Sequence, residues 1–221
     1  GSRKMITQRH NPAYRFACCK NKIDKDAGRL LQKEVPCVFY IRRGRISMVR
    51  LRPYKKCDAA TIVGWLTDEA GFWKWCAGRY DHYPITAEDM NAFYNQFEQN
   101  PRHFQMTMLD GTEVKGHLIM QFLDEEMKDL KFGCIIVDSA VRGKGYGYRM
   151  LAQALDYAFG ILKVDRVSLG VFENNPAARR CYERLGLTAT GKYEVYHLMG
   201  EDWNFHEMEI SREKWTGGEQ R

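Results

Sequence analysis

The chain reads as an α/β protein, α+β in the detail of its order, with a mixed, mostly antiparallel sheet and one parallel crossover. Three observations predict this. Asp110-Gly111 sits between the apolar runs His103–Leu109 and Thr112–Leu123, a strong hairpin signal because such turns want positive φ at their central residues. The glycine-rich stretch Arg142–Gly147 joins an apolar run to a helical pattern. A second helix is punctuated by Asn175 as N-cap, Pro176 at the first helical position and Gly186 just past the end.

The remaining elements follow in order. Ile46–Arg52 reads as a strand ended by Pro53, and Asp58 as the cap of a helix running to about Leu66. A stretch rich in Trp and Gly spans Gly71–Tyr83. Thr86 and Asp89 form a capping-box pattern that opens a helix to about Gln99, before Pro101. Phe132–Val137 reads as a central strand buried on both faces. Met150, Leu151, Ala154, Leu155, Ala158, Phe159 and Leu162 recur at helical spacing and mark one apolar face. Val167, Leu169 and Val171 alternate as in a strand, Ala178, Cys181, Tyr182 and Leu185 share a helix face, and strands over about Leu187–Leu198 and Trp203–Ile210 close the order.

Composition narrows the classes. The 221 residues carry 44% hydrophobic side chains, enough for a core and against wholesale disorder. No apolar run approaches the ~20 residues of a membrane span, and no leader pattern is visible, so a membrane partner is not expected. The seven cysteines are odd in number and form no CxxC pair, which predicts no disulfide framework, no metal and a reducing, cytoplasmic setting. Residues 1–45 carry 12 Lys+Arg against 3 Asp+Glu, whereas the rest carries 22 against 25. The basic segment reads as an N-terminal extension to a domain over 46–215, with 216–221 as a tail. It is either a solvated arm or a contact for nucleic acid or a ribosome. The acidic balance of the remainder leans toward a basic acceptor.

The glycine turn carries the chemistry. Unpaired N–H groups and the helix dipole at a helix start favour an anion, and glycines let the backbone come close to it. The spacing Gly143-x-Gly145-x-Gly147 is neither the dinucleotide fingerprint nor a P-loop. Alone, it is equally a tight strand–helix connection.

Its setting adds more. Val137-x4-Arg142-Gly143-x-Gly145-x-Gly147, then Asn175-x2-Ala178-x3-Tyr182-x3-Gly186 about 30 residues on, resembles the GNAT superfamily of N-acetyltransferases, over roughly residues 46–210. Ile136–Gly186 looks similar to a bacterial subgroup related to the ribosomal-protein alanine acetyltransferases. The resemblance implies a sheet splayed at the cofactor site, acetyl-CoA as acyl donor, and an amine acceptor, either a protein N-terminus or a small molecule. It implies that Ile135 and Val137 offer backbone to the pantetheine arm, and that Arg142, Gly143, Lys144, Gly145, Tyr146 and Gly147 hold the pyrophosphate. Asn175 is implied as an amide contact, which competes with its role as helix cap, and Ala178 as a small residue where the cofactor passes. Tyr182 is implied as the acid that protonates the leaving thiolate, against the reading of a core tyrosine.

Other assignments stay open. Glu69, Glu113, Asp138 and Glu173 are the candidates for general base. Cys181 invites a nucleophile reading, which direct transfer does not require. Arg179 and Arg180 are either phosphate contacts or a solvated face. Trp65, Phe72, Trp73, Trp75, Arg79, Tyr80, His82 and Tyr83 lie where the fold shapes its acceptor pocket, and ordinary core packing explains at least half of them. A non-catalytic acyl-CoA sensor and a ribosome-associated protein are the rival functions, and a homodimer is compatible with the sequence.

Overall fold

The computed structural model describes residues 49–217. The expectations for residues 1–45, the start of the first strand and the last tail residues lie outside that range. Seven strands form one sheet in the order β1-β2-β3-β4-β5-β7-β6. They are β1 Val49–Pro53, β2 His103–Asp110, β3 Glu113–Phe122, β4 Asp129–Val137, β5 Arg166–Phe172, β6 Thr188–Leu198 and β7 Glu201–Ser211. Among the described residues only β4 and β5 pair in parallel, as the crossover through a helix predicts.

Among the described residues, five α-helices cover the sheet. One face carries α4, Tyr146–Asp156, which runs on into a π-helical turn at Tyr157–Leu162, and α5, Pro176–Arg184. The other carries α1, Ala59–Val63, α2, Glu69–Cys76, and α3, Ala87–Asn95. Each face has its own core. Met150, Leu151, Ala154 and Leu155 of α4 pack with Leu130, Phe132, Val167 and Leu169, while Phe72, Trp75 and Met90 pack with Ile119, Cys134 and Ile136.

Local rules explain most boundaries. The capping box at α3 is formed: the Thr86 hydroxyl accepts from Asp89 N–H at 3.2 Å and the Asp89 carboxylate accepts from Thr86 N–H at 2.8 Å. The β2–β3 turn consists of Gly111 and Thr112, because Asp110 pairs with Glu113. Only Gly111 takes positive φ, at 62°, so the turn has the Gly-first arrangement rather than two left-handed residues.

One expectation is corrected. Asp58 makes no cap to α1, which is only five residues long. Its carboxylate is instead buried, taking both guanidinium nitrogens of Arg52 at 2.6 and 2.8 Å, the Thr107 hydroxyl at 2.9 Å and the Lys55 N–H at 2.9 Å. Burial pushes this acid up, but those hydrogen bonds outweigh it and hold it below its usual range. The Trp-rich stretch lies in α2 as far as Cys76 and continues as turns; the N-cap Asp68 accepts from Gly71 N–H at 2.6 Å, and three aromatics in eight residues masked the helical period. As expected, β4 buries side chains on both faces, Leu130 and Phe132 in the α4-side core and Cys134 and Ile136 in the α2-side core. Its residues alternate between buried and half-buried along the whole strand.

Two buried polar sites, Asp58 and His117, are testable contributors to stability. Removing Asp58 leaves the Arg52 charge without its partner, and Asp58→Ala is expected to cost about 3–5 kcal/mol in urea unfolding. His117 is fully buried, shares a 2.6 Å hydrogen bond with the Tyr94 hydroxyl, and burial depresses its pKa to about 3. The unfolded ring binds its proton near pH 6.5, so stability is full above that and falls as the pH drops toward 3. Between pH 7 and 5 the loss should be about 2 kcal/mol, and His117→Gln should flatten it.

Candidate active site

The site begins with a break in pairing. β4 and β5 are hydrogen-bonded from Asp129–Arg166 only as far as Phe132–Leu169, although both strands continue. At that point β4 bulges. His117 pairs with Ile136 but Ile119 pairs with Gly133, so two steps on β3 meet three on β4. The inserted residue is Cys134, left-handed at φ 46°. Its carbonyl accepts a hydrogen bond from the buried Trp75 indole at 2.8 Å.

The bulge reverses the faces of β4. Leu130 and Phe132 point to the α4 side before it, and Ile135 and Val137 after it. Asp138 N–H donates to Lys115 on β3 at 3.1 Å. By strand alternation Val137 and Ile135 therefore direct their backbone N–H and C=O away from β3, into the gap left by β5. These are the two residues expected to offer backbone to a ligand.

The gap opens into a cavity of about 620 Å³ whose lining comes from both faces of the sheet. One mouth is lined by the glycine turn, α4 and α5, and the other by α2 with Phe172 and Phe205. Of the expected site residues, Ile135, Val137, Arg142, Gly143, Gly145, Tyr146, Gly147, Asn175, Ala178 and Tyr182 all line it. Lys144 does not: its ammonium binds the Ala140 carbonyl at 3.0 Å, and its N–H turns back to Val141 at 3.3 Å. The Arg142 N–H is likewise used within the turn, at 3.4 Å to Ser139.

The N–H groups of Gly143, Gly145, Tyr146 and Gly147 donate to no described residue. Gly143 and Gly145 take φ of 75° and 79°, and an added Cβ would meet nothing, so backbone conformation rather than space calls for glycine there. Arg142, Arg180 and Arg184 line the same mouth. Free N–H groups at a helix start, beside three guanidinium groups, fit a pyrophosphate-bearing ligand such as acetyl-CoA. Arg179 is not part of this set, being paired with Glu183 at 3.0 Å.

Asn175 reconciles its two readings. Its side-chain oxygen caps α5 by accepting from Ala178 N–H at 3.3 Å, and its NH₂ remains available on the cavity wall. Tyr182 is 6% exposed, and burial raises its pKa above the ordinary tyrosine value. The hydroxyl has no partner among the described residues, yet it is not one of the fully enclosed polar atoms. It therefore opens onto the cavity as a protonated donor. Cys181 is raised by burial too, the opposite of an activated thiol.

None of the four carboxylates considered as base lines the cavity. Glu69 accepts from Trp73 at 3.1 Å, and Lys115 holds both Glu113 and Asp138 at 2.9 Å. Glu173 accepts from Asn204 at 2.7 Å. Hydrogen bonds from Lys115 and Asn204 respectively lower Asp138 and Glu173. The aromatic stretch is mostly core: Trp65, Phe72, Trp75 and Tyr80 are buried, and only Trp75 and Arg79 of those named reach the cavity. Sequence reading missed Trp75 as the ligand of the bulge carbonyl, Lys74 and Ala77 on the cavity wall, and Phe205 from β7. No group of metal-binding side chains occurs among the described residues.

Comparison with known proteins agrees with this geometry. The chain is 32% identical over 82 residues to the spermidine N(1)-acetyltransferase of Vibrio cholerae, covering 37% of this chain and 47% of that protein. It is 34% identical over 58 residues to the spermine/spermidine N(1)-acetyltransferase of Bacillus subtilis, covering 26% and 38%. The matched stretches thus span less than half of these relatives' length. The crystal structure of the V. cholerae spermidine N-acetyltransferase in complex with CoA and spermine superposes with a TM-score of 0.66 at 21% identity, over 75% of this chain and 96% of that one. A chimera of that enzyme gives 0.64 at 22%, over 75% and 96%. At such identity these structures speak for the fold. The relatives named are polyamine enzymes rather than members of the ribosomal-protein alanine subgroup that the sequence suggested. Residues 48–188, nearly two thirds of the chain, match the Acetyltransferase (GNAT) domain family, and the chain belongs to that family.

Proposed function

We propose that the protein is an N-acetyltransferase that moves an acetyl group from acetyl-CoA directly to an amine, both substrates bound together. The observation that carries this reading is the cavity at the β4–β5 break, lined from both faces of the sheet, which offers a place for one substrate on each side. Polyamine relatives weigh toward a small amine over a protein N-terminus. A cytoplasmic setting rests on the cysteine pattern; no helix among the described residues is long and apolar enough to cross a membrane.

When bound, acetyl-CoA supplies the acetyl group whose C–S bond breaks as a C–N bond to the amine forms, one proton leaving the nitrogen and one reaching the thiolate. The chain's own residues divide the work. Gly143, Gly145, Tyr146 and Gly147 offer N–H groups to phosphate oxygens at the start of α4. Val137 and Ile135 present backbone N–H to the gap, where one fixed donor to a developing oxyanion contributes about 10²–10³ in rate. Tyr182 holds its proton because burial raises its pKa, and its hydroxyl faces the cavity as the acid for the leaving sulfur. No lining side chain among the described residues is a carboxylate, so the amine proton departs to water.

Two variants test this. Tyr182→Phe should lower kcat about 10²-fold while CoA affinity changes less than about threefold; unaltered turnover would remove Tyr182 from the mechanism. Gly147 lies in the first turn of α4, and a Cβ there meets only Cys181 at 3.9 Å. Gly147→Glu should therefore fold normally, because a carboxylate suits a helix start, yet lose about tenfold or more in CoA affinity by calorimetry. Unchanged affinity would dismiss the phosphate seat.

A further inference from the structure

The mouth of the cavity on the α2 side is where an acceptor must enter, since the phosphate seat occupies the other. Its charged side chains are Lys74 and Arg79, both half-buried, and no carboxylate accompanies them among the described residues that line the cavity. This is unexpected for a chain whose relatives are named for spermidine and spermine. A polycation entering here would meet like charge in a site partly screened from water, with nothing to pair it.

Arg79 is placed with particular care. It follows the left-handed residues Ala77 and Gly78 that end α2. One guanidinium nitrogen donates to the Cys76 carbonyl at 2.9 Å, which fixes the group. The other lies 3.2 Å from where a Cβ would stand on Gly133, so the guanidinium rests close to the backbone of β4. Gly133 is the first residue of β4 beyond its last pairing with β5. The charge therefore stands at the edge of the opening, with no ion-pair partner among the described residues. Trp75, Phe172 and Phe205 supply apolar walls beside it.

A half-buried, immobilised guanidinium without a carboxylate is satisfied by a ligand that brings one, since the planar fork matches a carboxylate in two parallel hydrogen bonds. We propose that the acceptor is a small amine that also carries a carboxylate, an amino acid in chemical class, and that Arg79 is the residue that reads the carboxylate. The proposal rests on the acetyltransferase reading above and deepens it. The short reach from Arg79 to the β4 opening places the amine within a few bonds of the carboxylate, which favours α-amino acids over long diamines. The aromatic walls favour apolar side chains among them.

The test is a panel of α-amino acids, their methyl esters, and spermidine, each supplied with acetyl-CoA to the full chain, following thiol release. The ester amine is less basic and more fully deprotonated at neutral pH, so the comparison is biased against the acid. We expect kcat/KM for the best amino acid to exceed that of its ester and of spermidine by about tenfold or more. Arg79→Gln should erase that ratio, chiefly through KM, while leaving turnover of the ester and affinity for CoA within about threefold. Arg79→Lys, which keeps charge but loses the fork, should restore part of the ratio. If the ester or spermidine is used as well as the acid, or if the ratio survives in Arg79→Gln, the carboxylate assignment is overturned while the acetyltransferase reading stands. If no acceptor releases thiol and CoA does not bind, both are overturned. Should Arg79→Gln fail to fold, the acid–ester comparison on the unaltered protein decides alone.

Discussion

Four paired positions, from Asp129–Arg166 to Phe132–Leu169, hold β4 to β5, and the cavity opens past the last of them. Two constraints stop the pairing there. The extra residue at Cys134 tilts β4 out of register with its neighbour, and a left-handed φ at a non-glycine residue costs on the order of 1 kcal/mol. The carbonyl that this conformation expels from the ladder would be an unmet acceptor in the core without the Trp75 indole. One tryptophan on α2 thereby stabilises the distortion that exposes Ile135 and Val137 on the opposite side of the strand.

Much of this was legible in residues 46–210. The Asp110-Gly111 turn, the Thr86/Asp89 box and the apolar period of α4 are signals carried by neighbours in sequence, and the elements form close to where those signals put them. The glycine turn and the Asn175–Tyr182 helix meet on one cavity because the parallel crossover brings their N-termini to the same end of the sheet. What stayed hidden depends on contacts between distant segments. Asp58 looks like a helix cap until Arg52 and Thr107 approach it. Cys134 carries no mark of a left-handed residue, and nothing near Trp75 announces a partner 59 positions away. The length of β4 was underestimated because Lys131 and Asp129 break its apolar run while still occupying strand positions on a half-buried face.

Electrostatics show the same division between average and local order. The domain is mildly acidic as a whole, which suggests a basic guest. Its cavity is lined by Lys74, Arg79, Arg142, Arg180 and Arg184. Net charge governs the distant field, whereas the field inside a narrow slot is set by the few side chains that face it. The acidic residues that balance the count are engaged elsewhere, as in the Lys115 cluster with Glu113 and Asp138.

The brevity of the β4–β5 contact has a mechanical consequence. It divides the sheet into a four-stranded leaf, β1 to β4, and a three-stranded leaf, β5 to β7, hinged along one short seam near Asp129 and Arg166. A ligand whose amide groups bridge Val137 on one leaf and Asn175 beyond the other serves as a splint across that seam. Occupancy then couples the melting of the two leaves, and the cooperativity of the whole domain becomes a property that the substrate lends to it.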